Sequence, residues 1–114
     1  MRVLVCGGRC YDDAIRLGAV LDDYHRCCPI TLLIHGDAKG ADRLAGAWAS
    51  KNQINMEVYP AKWNKHGLSA GPKRNQEMLD KGKPELVIAF PGGSGTANMV
   101  KLAREDGRVV VEIE

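Results

Sequence analysis

Apolar residues gather in five short runs, Val3 to Cys6, Thr31 to Ile34, Met56 to Tyr59, Leu86 to Phe90 and Val109 to Ile113. Between the runs the pattern changes to a helical period. Ala14, Leu17, Gly18 and Leu21 fall on one face of a first helix, and Ala41, Leu44, Ala45, Trp48 and Ala49 on one face of a second. A third, short and polar, is expected to start near Pro72, and a fourth presents Thr96, Met99, Val100 and Ala103. Spacings of three and four residues make a stripe that buries against a sheet. Gly82 and Gly107 stand where the last two helices before a strand need C-terminal caps. Strands alternating with helices predict a βαβαβαβαβ chain, the α/β class, with a parallel sheet and helices on both faces.

The strands differ in kind. VLVC, TLLI and LVIAF are apolar throughout, as expected of central strands covered on both faces, whereas 55–59 and 109–113 alternate near their ends and read as edges. With right-handed crossovers the simplest arrangement is a Rossmann-like five-stranded sheet of order 3-2-1-4-5. Its topological switch lies between strands 1 and 4, and a ligand is expected there.

Composition narrows the class. The 114 residues, 45% hydrophobic and 26% charged, suit one domain over 1–114 with a core of its own. A net charge of +2 is too small to drive generic binding to nucleic acid or an anionic membrane. The stretch 62–83 is locally cationic, with Lys62, Lys65, Lys73, Arg74, Lys81 and Lys83 against Glu77 and Asp80. Met1-Arg2 leads straight into the first apolar run, and no run approaches membrane-spanning length, so a cytoplasmic protein is expected. Cys6 and Cys10 flank a glycine turn and Cys27-Cys28 are adjacent. That spacing matches no usual paired-ligand pattern, so reduced thiols and no metal site are expected, with Cys10 exposed near the ligand.

Glycine carries the chemistry. Gly7, Gly8, Gly36, Gly40, Gly67, Gly71, Gly92, Gly93 and Gly95 are predicted in strand-to-helix connections, which a parallel sheet collects on one edge. Without a Cβ the backbone N–H groups approach an anion closely, and each following helix adds unpaired amides and a positive dipole end. Several such loops suit a phosphate or diphosphate. Pro91-Gly92-Gly93-Ser94-Gly95-Thr96 is the strongest of them, directly after a buried strand. Thr96 either gives its hydroxyl to a phosphate or caps its helix. Neither a complete G-x-G-x-x-G fingerprint nor a Walker A lysine is present.

Gly7-Gly8-Arg9, HGDAKGADRLA (35–45), PAKW (60–63), AGPKRNQEM (70–78) and FPGGSGTANMV (90–100), in that order, resemble the YspA-type clade of the SLOG superfamily. That clade is similar to the Lonely Guy phosphoribohydrolases and, more distantly, to DprA. The resemblance implies a Rossmann-like fold that recognises nucleotide-type small molecules, with ADP-ribose or NAD derivatives among the candidates, and a homodimer or higher homo-oligomer. No bound cofactor is expected. The resemblance also implies that the 91–96 loop holds phosphate and that Arg74, in Arg74-Asn75-x-x-Met78, sits beside a ribose phosphate. Met99 stands where the Lonely Guy enzymes carry a catalytic glutamate, and a thioether neither donates a proton nor attacks an anomeric carbon.

The remaining candidates each have a structural alternative. Arg9 forks onto a phosphate or forms a surface salt bridge. Asp37 and Asp42 cap or complement a helix start, accept ribose hydroxyls, or supply the missing carboxylate. Lys39 is a phosphate contact, and Lys73 is solvated. His35, ending a buried strand, is expected to be structural. Trp63, in a loop, covers the core or stacks on a base, whereas Trp48 and Met99 are core. Three functions follow. The first is a sensing or sequestering module for a nucleotide-derived ligand. The second is a nucleotide N-glycoside hydrolase in which Asp42, Asp37 or Glu77 replaces the glutamate. The third, ranked last with only 5% aromatic residues, is a nucleic-acid binder using the 62–83 segment.

Overall fold

A computed structural model describes all 114 residues. Five strands, β1 (Arg2–Cys6), β2 (Leu32–His35), β3 (Asn55–Val58), β4 (Leu86–Ala89) and β5 (Val109–Glu112), form one sheet of order β3-β2-β1-β4-β5. All neighbours are parallel, with Val3 opposite both Leu33 and Leu86. The predicted order and class are those observed. Residues of β1 and β4 and the end of β2 are buried on both faces, while β3 and β5 are largely exposed edges.

Helices cover both faces. On one side α1 (Ala14–Cys27) and α2 (Ala41–Lys51) bury Leu17, Leu21, Ala45, Trp48 and Ala49 against Val3, Val5, Leu33 and Ile88. On the other, α4 (Ala70–Glu77) with its continuation 78–82, and α5 (Ser94–Glu105), bury Met78, Leu79, Met99, Val100 and Ala103 against Leu4, Ile34 and Val87. Met99 is fully enclosed. Burying a side chain of that size contributes roughly 1.5–3 kcal/mol.

Three local expectations need correction. The polar helix starts at Ala70 rather than near Pro72, so Arg74 lies a turn inside it. Trp63 begins a four-residue helix, α3 (Trp63–His66), rather than lying in a loop, and a single 3-10 turn over Gly67–Ser69 joins α3 to α4. The chain accommodates Pro72 because it falls in the first turn of α4, where no amide partner is lost. The left-handed cap before β4 falls on Lys83, φ 49°, and not on Gly82, which instead presses against Ile34. Gly107, φ 73°, turns the chain after α5 as expected.

Candidate functional site

The loops leaving β1, β2 and β4 meet above the sheet. The Gly8 amide donates to the Pro91 carbonyl at 2.9 Å, and the Gly8 carbonyl accepts from Tyr11 and from Ala41 at the head of α2. Gly40 is held there with φ 82°, its α-carbon so close to the Gly8 carbonyl that a side chain has no room. Gly7, Gly8, Gly40 and Gly92 thus pack loop on loop.

Gly36 does something the sequence did not announce. A Cβ there would stand 2.7 Å from the central guanidinium carbon of Arg74. The Arg74 Nη1 donates to the Gly36 carbonyl at 2.6 Å and, more weakly, to that of Tyr59 at 3.5 Å, and its Nε donates to Asn75 Oδ1 at 3.0 Å. Its Nη2 has no partner in the chain. Burial lowers the Arg74 pKa, opposed by attraction to Asp42, and the group remains a cation. Asn75, itself buried, donates through Nδ2 to the Gly95 carbonyl at 3.2 Å and to Asn98 Oδ1 at 3.0 Å. Arg74 and Asn75 therefore tie α4 to the β2–α2 loop and to the first turn of α5.

Much of the β2–α2 loop is bonded from within. Asp42 Oδ2 accepts from the amides of Gly36 and Ala38, both at 3.2 Å. Burial is the main influence on this carboxyl and lifts its pKa from 3.8 to about 6, against the lowering effect of those amides and of Arg74. His35 accepts from the Asp37 amide at 3.0 Å and backs onto Gly46 of α2, and burial lowers its pKa. It is a structural, neutral imidazole. Asp37 adopts φ 57° and pairs with Arg43 at 3.5 Å. Lys39 is exposed and borders none of the hollows described below.

The β4–α5 loop is not closed in this way. Gly93 caps α5 without a side-chain bond, and the first intrahelical donor is Ala97. The amides of Ser94, Gly95 and Thr96 donate to nothing in the chain, nor do the hydroxyls of Ser94 and Thr96 bond to it. Gly93 and Gly95 have open space where a Cβ would be. Thr96 is therefore not a cap here.

These amides open on a crevice of about 550 Å³, within the range of small-molecule sites. Gly7, Gly8, Arg9, Asp42, Trp63, Arg74, Asn75, Gly93, Ser94, Gly95 and Thr96 border it, together with Ala38, Leu68, Asn98 and the buried Cys6. A second hollow of about 460 Å³ lies across Gly8, Arg9 and Gly93, against Cys10, Tyr11, Asp12, Asp13, Pro91 and Gly92. A third, about 110 Å³, runs between Gly36, Asp37, Pro60, Trp63 and Arg74. Arg9 borders all three and makes no salt bridge, its guanidinium lying 5.5 Å from the Trp63 ring centroid. Burial pushes the Cys6 thiol up to about 12, so it is inert, whereas Cys10 is exposed.

Sequence reasoning missed Asn98, Tyr11 and Leu68. Asn98 lies one helical turn beyond Ser94 and was findable by that spacing. The Tyr11 hydroxyl, packed beside Phe90, is buried without a partner. Of the acids considered for chemistry, only Asp42 borders the main crevice, and Glu77 pairs with Lys81 at 3.5 Å instead. No cluster of His, Cys, Asp and Glu suits a metal ion, and no helix is long and apolar enough to cross a membrane.

Comparison with known proteins agrees with this geometry at the level of family and fold. Residues 1–66 match the model of the YspA, cpYpsA-related SLOG family. The Gene 61 protein of Mycobacterium phage D29 is 34% identical over 118 aligned positions, which cover 96% of this chain and 94% of the relative. The crystal structure of UDP-GlcNAc 2-epimerase from Neisseria meningitidis bound to UDP-GlcNAc superimposes with a TM-score of 0.62 at 20% identity. That likeness covers the whole of this chain but 32% of the epimerase chain, and it is a likeness of fold.

Proposed function

The chain belongs to the YspA, cpYpsA-related SLOG family, and from that premise we propose that its crevice binds a phosphate-bearing, nucleotide-derived ligand as a sensing or sequestering module. The observation that carries this reading is the set of unpaired amides at the head of α5, beside an unpaired Arg9 and a half-buried Arg74. A phosphate oxygen satisfies those donors, faces the positive end of the α5 dipole and neutralises two guanidinium groups. The main crevice and the second hollow meet along Gly8, Arg9 and Gly93. A diphosphate at that junction directs one arm into each, which favours the ADP-ribose or NAD-derivative class over a nucleoside monophosphate. The epimerase of like fold holds a nucleotide sugar, in keeping with this class of ligand.

Thermal melting with ADP-ribose, NAD and AMP tests the reading. A ligand present at about 100 times its Kd adds about 2.7 kcal/mol to the unfolding free energy. The expected result is a rise in Tm of several degrees with at least one of the three. An unchanged Tm with all of them at millimolar concentration contradicts it.

A second reading, hydrolysis of a nucleotide N-glycosidic bond, is favoured by one observation. Asp42 borders the crevice and holds its proton to about pH 6, as an acid protonating a leaving base requires. It predicts release of free base from a nucleoside monophosphate, abolished in Asp42→Asn. The same proposal includes a cytoplasmic homodimer or higher homo-oligomer. The exposed Met56 and Val58 of the β3 edge support an association that sedimentation would measure.

A further inference from the structure

The crevice contains one flat aromatic surface, and a cation covers it. The Trp63 indole is 45% exposed, whereas Trp48 is buried and bonded to Asp22. The edge of Trp63 rests on Gly71, where a Cβ would stand 3.4 Å from Cη2. The ring is thus fixed by an edge and by the start of α3, with Arg9 lying over a face. Arg9 is exposed, sits on the β1–α1 loop and has no other partner, so nothing but the ring holds it there. Both side chains border the main crevice and the third hollow, and Arg9 also reaches the Gly93 junction.

A planar, delocalised guanidinium lies on an indole for the same reasons that a nucleobase does, namely a polarised flat surface against an electron-rich one. A base stacked on an aromatic side chain is held at least as firmly as an exposed guanidinium. We propose that the face of Trp63 is the seat of the ligand's aromatic base, and that Arg9 occupies this seat only until the base displaces it and frees it for the phosphate. The inference rests on the nucleotide reading above and adds its orientation. The phosphate lies at the head of α5, the sugar crosses the crevice beside Arg74, and a purine or similar flat heterocycle lies on Trp63. Sugar phosphates without a base use the site only as far as Arg74.

Calorimetric titration of the full chain with AMP, adenosine and ribose 5-phosphate tests this, repeated on Trp63→Ala, Trp63→Phe and Arg9→Gln. In the unaltered chain AMP binds about tenfold more tightly than ribose 5-phosphate and quenches the Trp63 emission. Trp63→Ala lowers AMP affinity about tenfold to the level of ribose 5-phosphate, whose own affinity is unchanged, and Trp63→Phe restores most of the difference. Arg9→Gln weakens both phosphate compounds and leaves adenosine bound as well as before or better, because the ring is uncovered. If both phosphate compounds bind and their ratio survives Trp63→Ala, the stacking seat is wrong while phosphate binding stands. If AMP does not bind the unaltered chain this inference falls, and if ADP-ribose and NAD do not bind it either, the nucleotide reading falls with it.

Discussion

Two glycine-rich loops rise from the same edge of the sheet, one after β2 and one after β4, and they differ in how many of their backbone amides the chain itself engages. In the β2–α2 loop the amides of Gly36 and Ala38 go to Asp42, that of Asp37 to His35, and that of Ala41 to the Gly8 carbonyl, and only in the first turn of α2, at Asp42 and Arg43, and at Lys39 and Gly40 before it, do amides lack a protein acceptor. In the β4–α5 loop the amides of Ser94, Gly95 and Thr96 are left without a protein acceptor. Both loops read alike in sequence. Glycine in the first makes room for the chain itself, for Arg74 against Gly36 and for Gly8 against Gly40, whereas Gly93 and Gly95 leave the backbone open to something outside the chain. An anion-binding loop is recognised by where its N–H groups end, and glycine content alone does not report that.

The difference is sharpest at Gly40. Gly40→Ala places a methyl against the Gly8 carbonyl at a φ of 82°. A loss of about 4 kcal/mol or more is expected, read as a collapse of the denaturant midpoint. A variant that unfolds near the original midpoint would show that the closed loop yields easily.

Asp42 tests how the closed loop is satisfied. Asp42→Ala removes the acceptor of two amides and should cost about 2–3 kcal/mol, whereas Asp42→Asn keeps an acceptor oxygen in place. The two also differ in pH dependence. The folded chain keeps the Asp42 proton up to about pH 6, while the unfolded chain releases it near 3.8, so the folded state binds more protons in between. Stability from this group is fully present below about pH 4, falls as pH rises through about 6, and is level above that. A shift of about two units corresponds to at most about 3 kcal/mol. Urea midpoints between pH 4 and 7 should show that slope in the unaltered chain and lack it in Asp42→Asn. An unchanged slope contradicts a carboxyl that is protonated in the fold.

Arg74 bonds to the β2–α2 loop and borders the crevice that the head of α5 faces. Arg74→Ala leaves the Gly36 carbonyl without its donor and removes a cation from the crevice, so about 1–2 kcal/mol of stability and most of the ligand-induced rise in Tm should be lost. Arg74→Lys restores charge but not the fork, and partial recovery of ligand response with lower stability is the expected result. The smallest effect is expected at Gly95→Ala, where the methyl meets open space in a helix. Stability should rise by about 0.5–1 kcal/mol while ligand response weakens. Equal loss of stability at Gly95 and Gly40 would erase the distinction between the loops.

The fold was legible because covered parallel strands read as unbroken apolar runs, and β1, β2 and β4 carry such runs. The edge character of β3 and β5 then left one simple order. The place of the candidate crevice was legible, since strand order puts the connections after β1 and β4 side by side. The division of labour among its glycines was not, because it depends on neighbours far along the chain. Gly36 meets Arg74 across 38 residues, and Gly8 meets Pro91 across the sheet switch. Periodicity also could not show that Trp63 starts a helix, since a single turn is shorter than any amphipathic pattern. Lys39 looked like a phosphate contact from its loop, but the loop closes on Asp42 and turns it to solvent.

On the proposed reading the head of α5, and not the head of α2 with its own Gly36 and Gly40, receives the phosphate. Amide chemical shifts of the isotopically labelled chain, followed during titration with ADP-ribose and AMP, address it residue by residue. The largest changes are expected at Gly93, Ser94, Gly95, Thr96 and Arg9, with Gly36 and Ala38 nearly still. Changes centred on 36–42, or none at the start of α5 while ligand is bound, would contradict it.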